Sequence, residues 1–160
     1  MRFDKAQAWG IDLVLAFTIF FAALIVFFFY ALNFPTENDN DFSILEYEGK
    51  ILGDSLLSEG YPVDWDSSDV TTIGILSDGA INETKLSRFY DLSIPDYERT
   101  KGIFNIVNNY YIYFDEPIFI NLQSVEGIGM SPENARNAAR TTRIVIYQNR
   151  IRNLNINVWE

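Results

Sequence analysis

Carboxylates, one asparagine sequon, a run of tyrosines and a late cluster of arginines are the groups in this sequence best placed to do chemistry. Asp64, Asp66 and Asp69 form one close set of oxygens, and Glu37, Asp39 and Asp41 form another. Calcium favours such ligands, but neither set carries the glycine that turns an EF-hand loop; the plainer reading is turn and cap residues in water. Asn82-Glu83-Thr84 is the sole N-glycosylation sequon, and Asn82 is equally suited to cap a helix. Tyr110, Tyr111, Tyr113 and Phe114 either form a stripe for sugars or surfaces, or alternate into a core as strand residues do. The chain contains neither cysteine nor histidine. That removes thiol nucleophiles, the Ser-His-Asp arrangement and nearly all zinc chemistry. No carboxylate pair has a recognisable catalytic arrangement, so the expectation is a protein that is not an enzyme and uses no cofactor or metal.

The element in front of these groups dominates the chain. From Leu13 to Leu32 no residue is charged, and only Thr18 and Tyr30 are polar. As a helix the run rises about 30 Å, the thickness of a hydrocarbon core. It is longer than a secretory signal core of ~7–15 residues, and "YALNFPTENDND" offers no convincing cleavage site. A spanning helix from about Ala8 to Phe34, ended by Pro35, is expected. Arg2 and Lys5 precede it, whereas Glu37, Asp39 and Asp41 follow, so the N-terminus belongs inside and residues 33–160 outside. Those outer residues carry the whole net charge of −10, which argues against nucleic acid as a partner.

Beyond the polar elbow "PTENDND", a helix capped by Asn40 or Asp41 is expected through about Ser58. Phe42, Leu45, Leu52 and Leu56 make its apolar face. "GYPVDWDSSDV" reads as loop and "TTIGILS" as a short strand turning at Ser77-Asp78-Gly79. Asn82 starts a helix to about Tyr90, and Ser93 with Pro95 starts another ending near Gly102. "NYYIYFDE" and "IFINLQS" read as strands, "SPENARNAAR" as a short helix, and "TTRIVIYQNRIRNLNINVW" as two strands around Gln148-Asn149. Leu154, Ile156 and Val158 alternate with asparagines, which gives one buried and one wet face. The fold class is therefore α+β: a long hydrophobic helix followed by a head of antiparallel sheet and short helices.

Lys5-Ala6-Gln7 stands directly before the apolar helix. This arrangement resembles the processing site of archaeal type IV pilin-like proteins, which carry class III signal peptides. The resemblance implies that a prepilin peptidase removes residues 1–6: Lys5 is the basic residue, Ala6 precedes the cut, and Gln7 becomes the mature N-terminus. Residues 7–34 stay as the hydrophobic helix and 35–160 form the extracellular head. The ending "TTRIVIYQNRIRNLNINVW" is similar to the final hairpin of pilin-like heads. Bacterial type IV pilins carry a glutamate at the fifth mature position; here it is Ile11, with Asp12 the nearest acid. Archaeal relatives often lack that glutamate.

The helix side chains suit this family. Phe17, Phe20, Phe21, Phe27 and Phe28, with the aliphatic residues between them, would cost on the order of tens of kcal/mol to leave in water. Two homes remain, lipid or a bundle of identical helices. Asp12 and Trp9 are either an interfacial pair or, for Asp12, a partner of the amino terminus freed at Gln7. The expected partners are therefore the membrane, other copies of the chain in a filament, the prepilin peptidase and the pilus assembly machinery. The alternative is a single-pass anchor whose binding head never polymerises. Charge adds one contact hypothesis: residues 33–130 carry −13, while residues 131–160, with Arg136, Arg140 and Arg143, carry +3. Opposite patches suit head-to-tail packing; the plainer reading is solvated or internally paired arginines.

Overall fold

The computed structural model describes the backbone of residues 4–33 and 37–160, with side chains over 10–32 and 41–160. These residues fall into two compact units divided between Asn40 and Asp41. Helix and antiparallel sheet both contribute, so the class is α+β.

The first unit holds helix α1, Asp4–Asn33. Its stretch Gly10–Leu32 is 23 residues long with a mean hydropathy of 2.7, long and apolar enough to cross a membrane. The sole hydroxyl near its middle is satisfied internally, because Thr18 Oγ1 donates to Val14 O at 2.8 Å. That back-bond removes a desolvation cost in an apolar surround. Pro35, expected to end the helix, lies outside the described residues.

Helix α2, Glu37–Leu56, starts earlier than an Asn40 or Asp41 cap would allow. Leu45, Leu52 and Leu56 are buried as the spacing predicts, but Phe42 is half exposed and leaves that face. Two small residues let α2 lie directly on the sheet. A Cβ added at Gly49 would stand 2.9 Å from Thr141 Oγ1, and one at Gly53 would stand 3.2 Å from Ile156 Cδ1.

Strands β1 (Leu76–Ser77) and β2 (Ala80–Ile81) form a tight hairpin around Asp78-Gly79. The longer strand expected over 71–77 is reduced to this pair, plus an isolated bridge between Tyr61 and Thr72. Helix α3 spans Glu83–Ser93 behind its Asn82 cap, and helix α4 spans Tyr97–Phe104. The expected Ser93 start of α4 is corrected. Ser93 stays in α3, bonding back to Tyr90 O, while Asp96 caps α4 by accepting from Arg99 N at 3.3 Å.

Strands β3 (Asn109–Phe114), β6 (Ile128–Gly129), β7 (Ala138–Tyr147) and β8 (Arg150–Trp159) make one antiparallel sheet in the order β6-β3-β8-β7. "IFINLQS" is not one strand but the hairpin β4 (Ile118–Ile120) and β5 (Gln123–Val125), turned at Asn121 and Leu122 with φ of 52° and 67°. The helix expected over 131–140 is absent. Ala138 and Ala139 instead pair with Trp159 and Val158, and Arg136 N donates to Glu160 O at 2.9 Å. Ladder bonds to β8 outweigh the helix propensity of a few alanines.

The core lies between one sheet face and the helices. Tyr110, Ile112, Phe114, Leu154, Ile156 and Val158 supply the sheet side; Leu45, Leu52, Leu56, Phe89 and Phe104 supply the helix side, and Trp65 reaches in from the loop. Phe89, Phe104 and Tyr110 pack ring to ring with centroids 5.7–6.4 Å apart.

Candidate functional site

Chemistry-bearing groups in the second unit are mostly consumed by the fold. Asn82 Oδ1 accepts from Thr84 N at 2.9 Å and Lys85 N at 3.1 Å, and its Nδ2 donates to Ser77 Oγ at 3.2 Å. The amide that a glycan would modify is thus engaged at both ends. Asp66 Oδ1 accepts from Ser68 N and Ser68 Oγ, both at 2.6 Å, while Asp66 N donates to Asp69 Oδ1 at 2.8 Å. The Ser68 hydroxyl and then its N–H hold the Asp66 carboxyl below the usual carboxylate range. This is a self-satisfied turn. Asp64 and Asp41 are exposed, and the side chains of Glu37 and Asp39 lie outside the described residues. No group of three potential metal ligands occurs among the described residues.

The tyrosine run divides by strand alternation. Tyr110 and Phe114 point into the core, whereas Tyr111 and Tyr113 stand half-buried on the opposite sheet face, centroids 5.7 Å apart. Tyr110 is the more constrained. Its hydroxyl lies 2.5 Å from Thr100 Oγ1, and its N–H donates to Tyr97 Oη at 2.8 Å. Burial pushes the Tyr110 phenol well above the usual tyrosine range.

The three arginines expected at subunit contacts do not form one patch. Arg136 occupies the loop before β7. Arg140 shares a sheet face with Tyr113, whose ring centroid is 5.8 Å from its Cζ, and donates from Nε to Asn157 Oδ1 at 3.2 Å. Arg143, three residues on, faces the other way and pairs with Asp54 at 3.0 Å. Arg152 pairs with Glu116.

The described part of the apolar helix presents its hydrophobic residues outward. Phe17, Phe20, Phe27 and Phe28 are each more than half exposed, and Phe21 is 47% exposed. Phe17 and Phe21, one turn apart, pack with centroids 4.6 Å apart. Asp12 lies near the start of this stretch and is exposed. Lys5, Ala6 and Gln7 fall within the α1 backbone, but their side chains lie outside the described residues. Residues 1–3 of the expected leader lie outside them altogether.

Two buried charges escape a pattern-based reading. Glu48, 6% exposed, accepts from Val107 N at 2.9 Å and Asn108 N at 3.1 Å, fixing the chain just before β3 to α2. Lys85, 3% exposed, donates from Nζ to Glu59 O and Leu76 O, each at 2.8 Å. Glu48 sits three residues after Leu45 and four before Leu52, on their stripe. A carboxylate in that position was the available signal.

No protein-family model matches the chain, and comparison with curated proteins and with solved structures likewise gives no match.

Proposed function

We propose that this chain is a structural subunit of an archaeal type IV pilus-like surface filament. The observation that carries this reading is the 23-residue stretch Gly10–Leu32, at mean hydropathy 2.7, in a chain whose second unit has a core of its own. Such a helix is stable in lipid or among sister helices, and a filament subunit uses both in turn. Before assembly the N-terminus lies inside and the head outside. Prepilin peptidase cuts between Ala6 and Gln7, and the assembly machinery then moves α1 from bilayer to filament core. Phenylalanines at 17, 20, 21, 27 and 28 favour a multi-helix core, because close pairing in lipid relies mainly on small residues. The subunit itself carries out no reaction.

N-terminal mass spectrometry of the protein from its host tests this reading. A mature start at Gln7 is expected. An intact Met1 on the membrane-bound protein would favour a plain single-pass anchor and overturn the proposal.

A further inference from the structure

We propose that the recess between the first turns of α3 and the β4–β5 hairpin binds a neutral pyranose, free or as the terminal sugar of a glycan. The recess encloses about 340 Å³ and is lined by Glu83, Thr84, Ser87, Phe119, Asn121 and Tyr147. That volume lies at the small end of ligand sites. Phe119 and Tyr147 also wall an adjoining hollow of about 180 Å³.

Tyr147 is the observation that points to a ligand. Only 5% of it is exposed, yet its hydroxyl has no hydrogen-bond partner among the described residues. No fully enclosed side-chain oxygen or nitrogen lacks a partner there, so this hydroxyl is within reach of water, and Tyr147 lines both the recess and the adjoining hollow. A packed ring whose hydroxyl is free of protein partners can both donate to and accept from a molecule seated there.

The surrounding groups select the ligand class. Ile118 and Ile120 of β4 turn into the core and leave Phe119, 69% exposed, as an open ring at the rim. A sugar's C–H face packs on such a ring while its hydroxyls meet polar groups opposite. Ser87 Oγ stands 3.1 Å from Asn121 Oδ1 and 3.4 Å from Asp91 Oδ2, with one proton to give. The Glu83 carboxylate, held by Gln148 Nε2 at 2.8 Å, accepts further donors. Anions are disfavoured. Glu83 repels them, the N–H groups of Thr84 and Lys85 are spent on Asn82, and Arg88 Nη1 is committed to Trp65 O at 2.7 Å and Asp64 O at 3.2 Å. The recess therefore suits a ligand without negative charge, rich in hydroxyls and apolar on one face. This inference stands independently of filament assembly.

The test titrates the full chain, in a detergent without sugar headgroups, with glucose, galactose, mannose and N-acetylglucosamine, each free and as its methyl glycoside. Backbone amide NMR is the readout. At least one sugar is expected to shift signals of residues 83–87 and 119–121 with a Kd on the order of millimolar. Tyr147→Phe and Phe119→Ala should each weaken that binding by about fivefold or more, and Arg136→Ala should leave it unchanged. Binding that survives methylation identifies the end of a glycan; binding lost on methylation identifies a free reducing sugar. Tyr147→Phe removes one oxygen and Phe119→Ala an exposed ring, so neither loss reports unfolding. Absence of shifts with every probe, or undiminished binding in both variants, would overturn the proposal.

Discussion

Replacing Glu48 probes how α2 is fastened to the sheet. Its carboxylate accepts two backbone N–H groups, from Val107 at 2.9 Å and Asn108 at 3.1 Å, at a position only 6% exposed. A hydrogen bond to a charged group contributes about 1.5–3 kcal/mol. Val107 is 81% exposed, so water recovers part of the loss at that end of the clamp. Glu48→Ala is therefore expected to destabilise the second unit by about 2–4 kcal/mol. Glu48→Gln keeps the shape but sets an amide donor against one of the two N–H donors. It should cost at least half as much as alanine. The assay is urea unfolding of the full chain in detergent, followed by tryptophan fluorescence, because Trp65 is fully buried and donates from Nε1 to Gly74 O at 3.0 Å. If both variants unfold within about 0.5 kcal/mol of the parent, the clamp contributes no more than an ordinary surface contact.

Other consequences are smaller or more local. Asn82→Ala should cost about 1 kcal/mol through loss of the α3 cap, while Asn82→Asp, which keeps the acceptor, should cost much less; thermal unfolding distinguishes them. Gly49→Val should destabilise by about 1–3 kcal/mol although valine is the better helix former, because its Cβ meets Thr141 Oγ1 at 2.9 Å; the same urea titration measures it. The Asp66 carboxyl should titrate below the ordinary aspartate range in a side-chain carbonyl NMR experiment. Because its folded value is depressed, its contribution to the turn is present above the unfolded value and disappears as pH falls through the folded one. Ser68→Ala, which removes the largest cause, should move the midpoint upward.

The apolar helix, the Asn82 cap and the final hairpin were legible because each depends on local pattern. The run after Leu13 has the length and composition of a span, Asn82 precedes a helix start, and Leu154, Ile156 and Val158 alternate with asparagines. Gln148 and Asn149 at the hairpin turn adopt φ of 50° and 60°, the left-handed region that its two-residue geometry requires. Tertiary pairing decided what the pattern missed. "SPENARNAAR" has a serine, a proline and alanines in helix order, but β8 is long enough to recruit Ala138–Arg140 into the ladder. "IFINLQS" hides its turn in Asn121-Leu122, where leucine gives no turn signal. The recess around Tyr147 joins three segments distant in sequence, α3, β4 and the end of β7. Strand alternation assigns Tyr147 to the core face but does not show that its hydroxyl lacks a partner among the described residues.

Electron cryomicroscopy of filaments sheared from the host's surface separates a filament subunit from a solitary anchor. Fibres are expected whose axial core is built from residues 10–32 of many copies of this chain, with the polypeptide starting at Gln7 and the heads outside. Surface fibres lacking this chain, together with the uncut protein dispersed singly in the membrane, would contradict it.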